Sequence, residues 1–383
     1  MPHADPIARG EYVMTVCNAC RYCEQFCPVF PAMENRLTFA AGDLTYLANL
    51  CHNCGECLYA CQYAPPHEFG INVPRTMAEI RAKSYEAYCW PVFLSSAFRH
   101  HNLGTGLVLA AGLIAAMVAA VLIVNEGVFP RPVGPGDFYG VLPHDIMVAL
   151  FGSVFLFVFA AIGVGVVRFW RDLGHGDTHI LTAADLTRAL RDVMTLRHLH
   201  GSGVDCTSAE EERTPLRRWF HHCTFYGFLL CFASTSVAAL YHVAFGWLAP
   251  YPYGSLPVLL GMAGGAGLLI GPAGLLMLRG RRDPALGDPD QRGMDESFIA
   301  LLFATSLTGF LLLALRDRAV MSAVLVVHLG AVLALFVTLP YGKFVHGIYR
   351  TAALIRYAIE SRRTEGHGPR SNAVGQSRSR ENG

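Results

Sequence analysis

The sequence has few charged residues and no apolar segment before its first cysteine. Charged side chains make up 15% of 383 residues, and 30 Lys and Arg nearly balance 29 Asp and Glu. Nucleic acid is not expected as a partner, because binding phosphates needs a basic face. Without an N-terminal signal segment a secreted disulfide scaffold is not expected either. The chain has twelve cysteines, and those ahead of the first long apolar run, which starts near Leu103, are therefore predicted to be reduced thiolates that hold metal in the cytoplasm.

A dinucleotide-binding fingerprint is also absent. The glycine-rich stretch GMAGGAGLLIGPAG has no GxGxxG and no preceding strand, so its small residues are better explained by close helix packing. What the chain has instead is six apolar runs of 19 or more residues. Each is long enough to cross a hydrocarbon core of roughly 30 Å, and they cover 103–124, 146–167, 223–243, 255–278, 297–315 and 320–341.

The distribution of positive charge predicts the orientation. If both termini share one side, 27 of the 30 Lys and Arg fall on that side. The positive-inside rule makes it the cytoplasmic side. We expect a multi-pass protein of the cytoplasmic (inner) membrane, embedded in the lipid bilayer, with both termini and the cysteine-rich segment in the cytoplasm.

Eight cysteines form two matched sets with the spacing C-x2-C-x2-C-x3-C. This spacing is typical of [4Fe–4S] clusters, in which the fourth cysteine of each set binds the other cluster. The predicted ligands are Cys17, Cys20, Cys23 and Cys61 for the first cluster, and Cys51, Cys54, Cys57 and Cys27 for the second. Zinc sites usually take two pairs of cysteines, not a doubled set of four. Between the sets, Leu44, Leu47 and Leu50 recur at helical spacing, which favours an all-helical ferredoxin.

Histidines near the apolar runs are candidate haem ligands, because ionisable groups in membrane segments are costly to bury. His328 and His346 lie 18 residues apart, which is five turns on one face of a continuous helix. By depth, His242 pairs with His328 toward the outer leaflet, and either His221 or His222 pairs with His346 toward the inner one. Two such bis-imidazole sites predict one or two b-type haems. Three further histidines are interpreted as interface anchors: His144, His100 and His101.

The predicted fold is all-α, with a helical dicluster ferredoxin domain fused to a six-helix transmembrane bundle. Residues 1–90 form the ferredoxin-like domain, and residues 91–360 form the haem-binding membrane domain with a cytoplasmic loop at 168–222. In that loop, Thr182 and Asp185 predict the start of a surface helix lying against the membrane or the iron–sulfur domain. Residues 361–383 are polar, lack periodicity and are expected to be disordered.

The stretches CNACRYCEQFCP, CHNCGECLYAC and RRWFHHCTFYGFLLCFASTSVAALYH resemble the tricarballylate/citrate utilisation protein B family. HLGAVLALFVTLPYGKFVH is similar to the last helix of the nitrate reductase gamma subunit, in which two histidines at this spacing bind different b haems. The cysteine-rich part also looks like the helical ferredoxin subunits of heterodisulfide reductase and fumarate reductase.

The resemblance implies an electron-transfer oxidoreductase subunit. It would re-oxidise the reduced flavin of an FAD-dependent tricarboxylate dehydrogenase and pass electrons through two [4Fe–4S] clusters and b-type haem to membrane quinone. Lys343 and Arg350 could polarise a quinone carbonyl. The alternatives are a haem-free iron–sulfur membrane anchor, a heterodisulfide-type reductase subunit with Cys206 as its loose catalytic candidate, and a proton-coupled transporter. The transporter is disfavoured because charges are almost absent from the spans.

Overall fold

The computed structural model describes residues 5–99, 103–124, 136–173, 180–200, 206–207 and 213–366. The N-terminal helices are α1 (Pro6–Cys20), α2 (Val29–Glu34), α3 (Ala41–Leu50), α4 (Glu56–Tyr59), α5 (Val73–Tyr88) and α6 (Val92–Arg99). Next come α7 (Leu103–Val124), α8 (Phe138–Val141), α9 (His144–Leu173) and α10 (Ala183–Met194). The last helices are α11 (Leu216–Phe245), α12 (Leu256–Gly280), α13 (Arg292–Leu315), α14 (Met321–Thr338) and α15 (Val345–Gly366).

Short elements connect these helices. A two-residue antiparallel strand pair joins β1 (Cys206–Thr207) to β2 (Arg213–Thr214). The 3₁₀ turns span Arg197–His200, Pro284–Leu286, Pro289–Gln291 and Leu339–Tyr341. The all-α fold class predicted from the sequence is confirmed.

Six helical segments are long and apolar enough to cross a membrane, and they overlap the six predicted runs. The chain is therefore a multi-pass membrane protein. Helices α9 and α11 are 30 residues long, longer than the roughly 20 residues that a bilayer needs. Their extra turns carry Arg171 and Arg217, so both helices project beyond the apolar layer at their charged ends.

The glycine-rich run on α12 packs against α11, as the sequence predicted. A Cβ at Gly264 would lie 2.7 Å from the backbone nitrogen of Cys231, and one at Gly271 would lie 2.7 Å from the Phe220 carbonyl oxygen. Both distances are shorter than any side chain allows. The two backbones can approach this closely only because these positions are glycine.

The prediction of one continuous helix through His328 and His346 is wrong. Helix α14 ends at Thr338, and a 3₁₀ turn containing Pro340 follows it. Proline lacks the N–H that would continue the helical hydrogen bonds. His346 therefore lies in the first turn of a separate helix, α15, and its direction does not follow from that of His328.

Helix α15 shares a hydrophobic core with the N-terminal helices. This core joins Leu44 and Leu47 of α3 to Phe169 of α9 and to Ala353 of α15, and all four are fully buried. The N-terminal core thus extends beyond residue 90. Helix α15 also runs through 361–366, which the sequence predicted to be disordered, while 367–383 lie outside the described residues.

The surface helix predicted in the 168–222 loop is α10, and its predicted cap is confirmed. The Thr182 hydroxyl accepts from the backbone N–H of Asp185, and the Asp185 carboxylate accepts from that of Thr182. Helix α10 packs against α15, to which Asp185 is joined by an ion pair with Arg362 at 3.0 Å. Its apolar Leu186 and Leu190 stay exposed, so the packed face is not the apolar one.

Candidate functional site

The first cysteine set lies where α1 ends. Arg21 has a left-handed backbone conformation (φ 55°), and its N–H caps the helix on the Cys17 carbonyl. This turn reverses the chain between Cys20 and Cys23. The Asn18 amide holds the turn by donating to the Arg36 carbonyl at 2.9 Å.

The eight cysteines fall into two neighbouring groups. Burial raises the pKa of Cys17, and charge repulsion from Cys23, Cys61 and Cys20 raises it further. Burial likewise raises the pKa of the second group's Cys27, with repulsion from Cys54 and Cys51 next, and Cys57 interacts with Cys54, Cys27 and Cys51. The structure thus brings Cys61 near Cys17 and Cys23, and Cys27 near Cys51, Cys54 and Cys57. Cys23 also lies near Cys27 and Cys57, so the two groups adjoin.

This arrangement fits iron–sulfur clusters. All the cysteines whose side chains are described are free thiols. Within the described ranges, no three His, Cys, Asp or Glu side chains converge closely enough to hold one metal ion. In a cubane cluster, each of the four irons takes one cysteine. The four sulfur atoms therefore lie further from one another than the ligands of a single metal ion do. The positive charge of a cluster would keep buried, mutually repelling thiols in the thiolate form.

The loop that begins the second cysteine set is held by arginines from distant parts of the chain. The Cys51 carbonyl accepts from Arg81 at 2.7 Å and from Arg350 at 2.8 Å. The Asn53 carbonyl accepts from Arg217 at 2.9 Å and from Arg282 at 2.8 Å. Four guanidinium groups create a positive potential here, which favours the reduced form of a nearby cluster.

His221 and His346 lie close together, one helical turn beyond Arg217 and before Arg350 respectively, with their ring planes 63° apart. Their ring centroids are 6.0 Å apart. An iron that binds two imidazole nitrogens at about 2 Å each sets the ring centroids roughly 6 Å apart, so the pair fits a bis-histidine haem. His222 instead stacks on Tyr226, with ring centroids 5.7 Å apart and planes 9° apart.

The protonation of His346 also suits a metal ligand. Its Nδ1 contacts the Lys343 carbonyl, which can only accept, so Nδ1 carries the proton and Nε2 is left with its lone pair. Burial lowers the pKa of His346 well below its usual value, and the charges of Arg350 and Lys343 lower it further. The imidazole is therefore neutral, as coordination requires.

The cysteine loop and the histidine pair are one helical turn apart. His221 follows Arg217 by four residues, and Arg350 follows His346 by four residues. Four residues span about 6 Å along a helix axis. The same two helices therefore hold both the Cys51 loop and the imidazole pair.

The outer histidines are arranged differently from the prediction. His242 stacks on His144, with ring centroids 3.6 Å apart and planes 16° apart. His328 contacts the Thr308 hydroxyl through Nδ1 at 3.0 Å. His242 and His328 have no ring contact in the part of the chain that is described. Rings stacked at 3.6 Å leave no room for an atom between them, so His144 and His242 do not form a second site like the inner one.

Lys343 and Arg350, the candidate quinone contacts, already have partners within the protein. Lys343 forms an ion pair with Asp295 at 2.9 Å, and Arg350 bonds to the cysteine loop. Both cations are thus engaged by protein groups. His100, His101 and the side chain of Cys206 lie outside the described residues.

The role of the arginines at the cysteine loop was not predicted from the sequence, which offered Arg350 only as a contact for a quinone carbonyl. Arg217 and Arg350 each lie four residues from a candidate histidine, which was the only available signal. The positive-inside rule also predicts arginines at the cytoplasmic ends of membrane segments. The four-residue spacing alone therefore could not show that these two arginines contact the cysteine loop.

Two family profiles match the chain. Residues 10–87 match the citrate utilization protein B Fer4-like domain, and residues 99–367 match citrate utilization protein B. A citrate utilization protein B of Escherichia coli is 50% identical over 360 residues, covering 94% of each chain. No solved structure matches the chain. The Fer4-like match indicates iron–sulfur electron transfer.

Proposed function

Because the chain belongs to the citrate utilization protein B family, we propose that it re-oxidises the reduced flavin of a separate FAD-dependent tricarboxylate dehydrogenase and passes the electrons to membrane quinone. The observation that carries the proposal is the short path from the Cys51 loop to the His221–His346 pair. The cysteine-rich unit and the membrane helices therefore meet where the proposed cluster ligands and the proposed haem ligands are nearest in sequence and contacts.

Each cofactor has a proposed set of ligands. Cys17, Cys20, Cys23 and Cys61 would hold one [4Fe–4S] cluster, and Cys51, Cys54, Cys57 and Cys27 the other. His221 and His346 would hold one b-type haem. These groups supply one-electron carriers with potentials set by burial and hydrogen bonding. The stacking of His242 on His144 favours one haem over two.

The contacts support one order of electron transfer. The second cysteine set adjoins the membrane helices through Arg217, Arg282 and Arg350. The first set lies beside the exposed Tyr22, which is 68% exposed. We therefore place the entry of electrons at the first set and their exit toward the membrane at the second.

The test is a coupled assay with the purified protein in detergent. The family's partner dehydrogenase, its acid substrate and decylubiquinone are mixed with and without this chain. Quinone reduction should require all of them, and Cys54→Ser should reduce the rate to the level without the chain. Quinone reduction at the same rate without the chain would contradict the proposal.

A further inference from the structure

A cavity of about 890 Å³ lies between the N-terminal unit and the membrane helices. One wall is formed by α5 and the other by the segment that leads into α13, with Pro340 and Tyr341 at the end of α14. Cavities of roughly 300–1,000 Å³ are the usual size for small-molecule sites, and they occur preferentially between domains. The electron path proposed above uses none of the residues that line this cavity.

The wall contains a buried polar group without a partner. Tyr85 is 8% exposed, and its hydroxyl has no hydrogen-bond partner within the described residues. An unpaired buried hydroxyl is costly, because it has lost its hydrogen bonds to water. The hydroxyl oxygen is itself fully buried, so a small shift of the Tyr85 ring is needed before a carbonyl oxygen at the inner end of the cavity can supply the missing acceptor.

Tyr85 is also close to both proposed redox centres. It lies four residues after Arg81, which bonds to the Cys51 carbonyl at 2.7 Å. Its ring stacks on Tyr349 at 5.9 Å, and Tyr349 lies three residues after His346. Tyr85 is therefore one helical turn along α5 from an arginine that holds the second cysteine set, and its stacking partner Tyr349 is about one turn along α15 from a proposed haem ligand.

The charges around the cavity disfavour an anionic ligand. Its lining carries four carboxylates, Glu79, Glu86, Asp288 and Asp290, against three cations, Arg9, Arg75 and Lys83. Two of these cations are already paired at 2.8 Å, Arg9 with Glu79 and Lys83 with Asp5. A tricarboxylate would meet net negative charge here, whereas a neutral ring with carbonyl groups would not.

The cavity has an apolar approach from the membrane side. Ser95 of α6 lines it, and the neighbouring Val92 and Phe93 on the same helix are 56% and 73% exposed. Pro340 and Tyr341 close one of the membrane segments. An isoprenoid tail could leave the cavity along this exposed apolar surface at the membrane boundary.

We propose that this cavity binds the headgroup of membrane quinone, with the Tyr85 hydroxyl donating a hydrogen bond to one quinone carbonyl. The proposal rests on the function proposed above. Two electrons from the chain's carriers and two protons from cytoplasmic water convert each quinone to quinol. Both C=O groups become C–O–H, and Tyr85 itself is not consumed.

The test compares two cavity variants with matched controls on the same helix. Tyr85→Phe removes only the hydroxyl, and Ala82→Trp fills the cavity. Tyr88→Phe removes a hydroxyl that bonds to Asp172, and Ala87→Trp adds bulk at an exposed position; neither control residue lines the cavity. Each protein is reduced, freed of excess reductant and mixed with decylubiquinone, and re-oxidation of its carriers is followed by absorbance.

The half-saturating concentration of decylubiquinone should rise about fivefold in Tyr85→Phe and about tenfold or more in Ala82→Trp. Both controls should match wild type, and carrier content should be equal in all five proteins. Quenching of heptyl-hydroxyquinoline N-oxide fluorescence should weaken in the same two variants, as a readout independent of turnover.

The outcomes separate the two proposals. If wild type is re-oxidised by decylubiquinone and neither cavity variant changes half-saturation or quenching, the quinone site lies elsewhere and the proposed function stands. If reduced wild type with full carrier content is not re-oxidised by decylubiquinone, both proposals are wrong.

Discussion

Two adjacent histidines on α11 have opposite surroundings, and this difference can be measured. His221 faces His346, whereas His222 stacks on Tyr226. We expect His221→Ala to lose nearly all of the haem, because one of two axial ligands is gone. His222→Ala should keep it. The measurement is haem per protein from the pyridine haemochrome spectrum.

Equal haem content in His221→Ala and His222→Ala would contradict this assignment. Iron and sulfide content serves as the control for folding, because neither substitution touches a cysteine loop. Both variants should retain the wild-type amounts.

The choice between these histidines could not be made from the sequence. Successive residues on a helix point about 100° apart, so either imidazole could have faced the partner. The partner's direction depends on the break after Thr338, which separates His346 from the helix that carries His328. The cysteine groups, in contrast, could be predicted, because the spacing of the motif itself decides which thiols are neighbours.

At the scale of helices, one buried carboxylate of α15 adds an ion pair with the N-terminal unit to the shared hydrophobic core. Glu360 is 8% exposed and accepts from Arg36 at 2.9 Å, from the Tyr46 hydroxyl at 3.1 Å and from Arg356 at 3.0 Å. Removing Glu360 takes away one of the two carboxylates that pair with Arg36 and the carboxylate that pairs with Arg356, and a buried charge that loses its partner is strongly destabilising.

Glu360→Ala should therefore lower the free energy of unfolding by about 3 kcal/mol. Thermal bleaching of the cluster absorbance measures the shift in midpoint, and Glu11→Ala, at an exposed position, is the matched control. If Glu360→Ala and Glu11→Ala bleach at the same temperature, Glu360 does not fasten α15.

The docking of α10 on α15 should depend on pH through Asp185. Burial alone would raise the pKa of Asp185, but hydrogen bonds from Thr182 and Arg362 outweigh burial and hold it below 3.8. A carboxylate with a lowered folded-state pKa stabilises the fold fully above its unfolded value and loses that contribution as pH falls through the folded value.

Hydrogen exchange of the α10 amides should thus be slower in wild type than in Asp185→Asn at about pH 5. The difference should shrink as the pH falls below 3.8. Comparison at each pH cancels the intrinsic pH dependence of exchange. A difference that stays constant down to about pH 3 would show that the carboxylate charge does not hold α10.

The amphipathic pattern of α10 predicted a helix but not its packed face. Leu186 and Leu190 remain exposed, while Asp185 and Asp192 are buried by ion pairs. Sequence periodicity identifies which residues share a face, but it does not identify which face meets the protein when charged partners come from a distant helix.

For the whole molecule, the arginine contacts place three membrane-segment ends beside the N-terminal unit. Arg217 lies in the first turn of α11, Arg282 follows α12, and Arg350 lies in α15, which follows α14; all three bond to the loop of Cys51–Asn53. The charge asymmetry of the sequence had predicted that these segments share a side. The contacts support this sidedness independently of charge counting.

If that side is cytoplasmic, reporter fusions should show it. A green fluorescent protein fused after residue 383 should fluoresce, and alkaline phosphatase inserted after Gly254 should be active, because this enzyme folds only outside the cytoplasm. Alkaline phosphatase active at the C-terminus and inactive after Gly254 would reverse the proposed orientation.

The central claim is that the cysteine-rich unit and the membrane bundle carry connected redox centres. The most direct measurement is a reduced-minus-oxidised visible spectrum of the detergent-purified protein, with haem, non-haem iron and acid-labile sulfide quantified. We predict about eight non-haem irons and eight sulfides per chain, with a b-type α band from one haem. Eight irons without an α band would contradict the claim and reduce the membrane helices to an anchor.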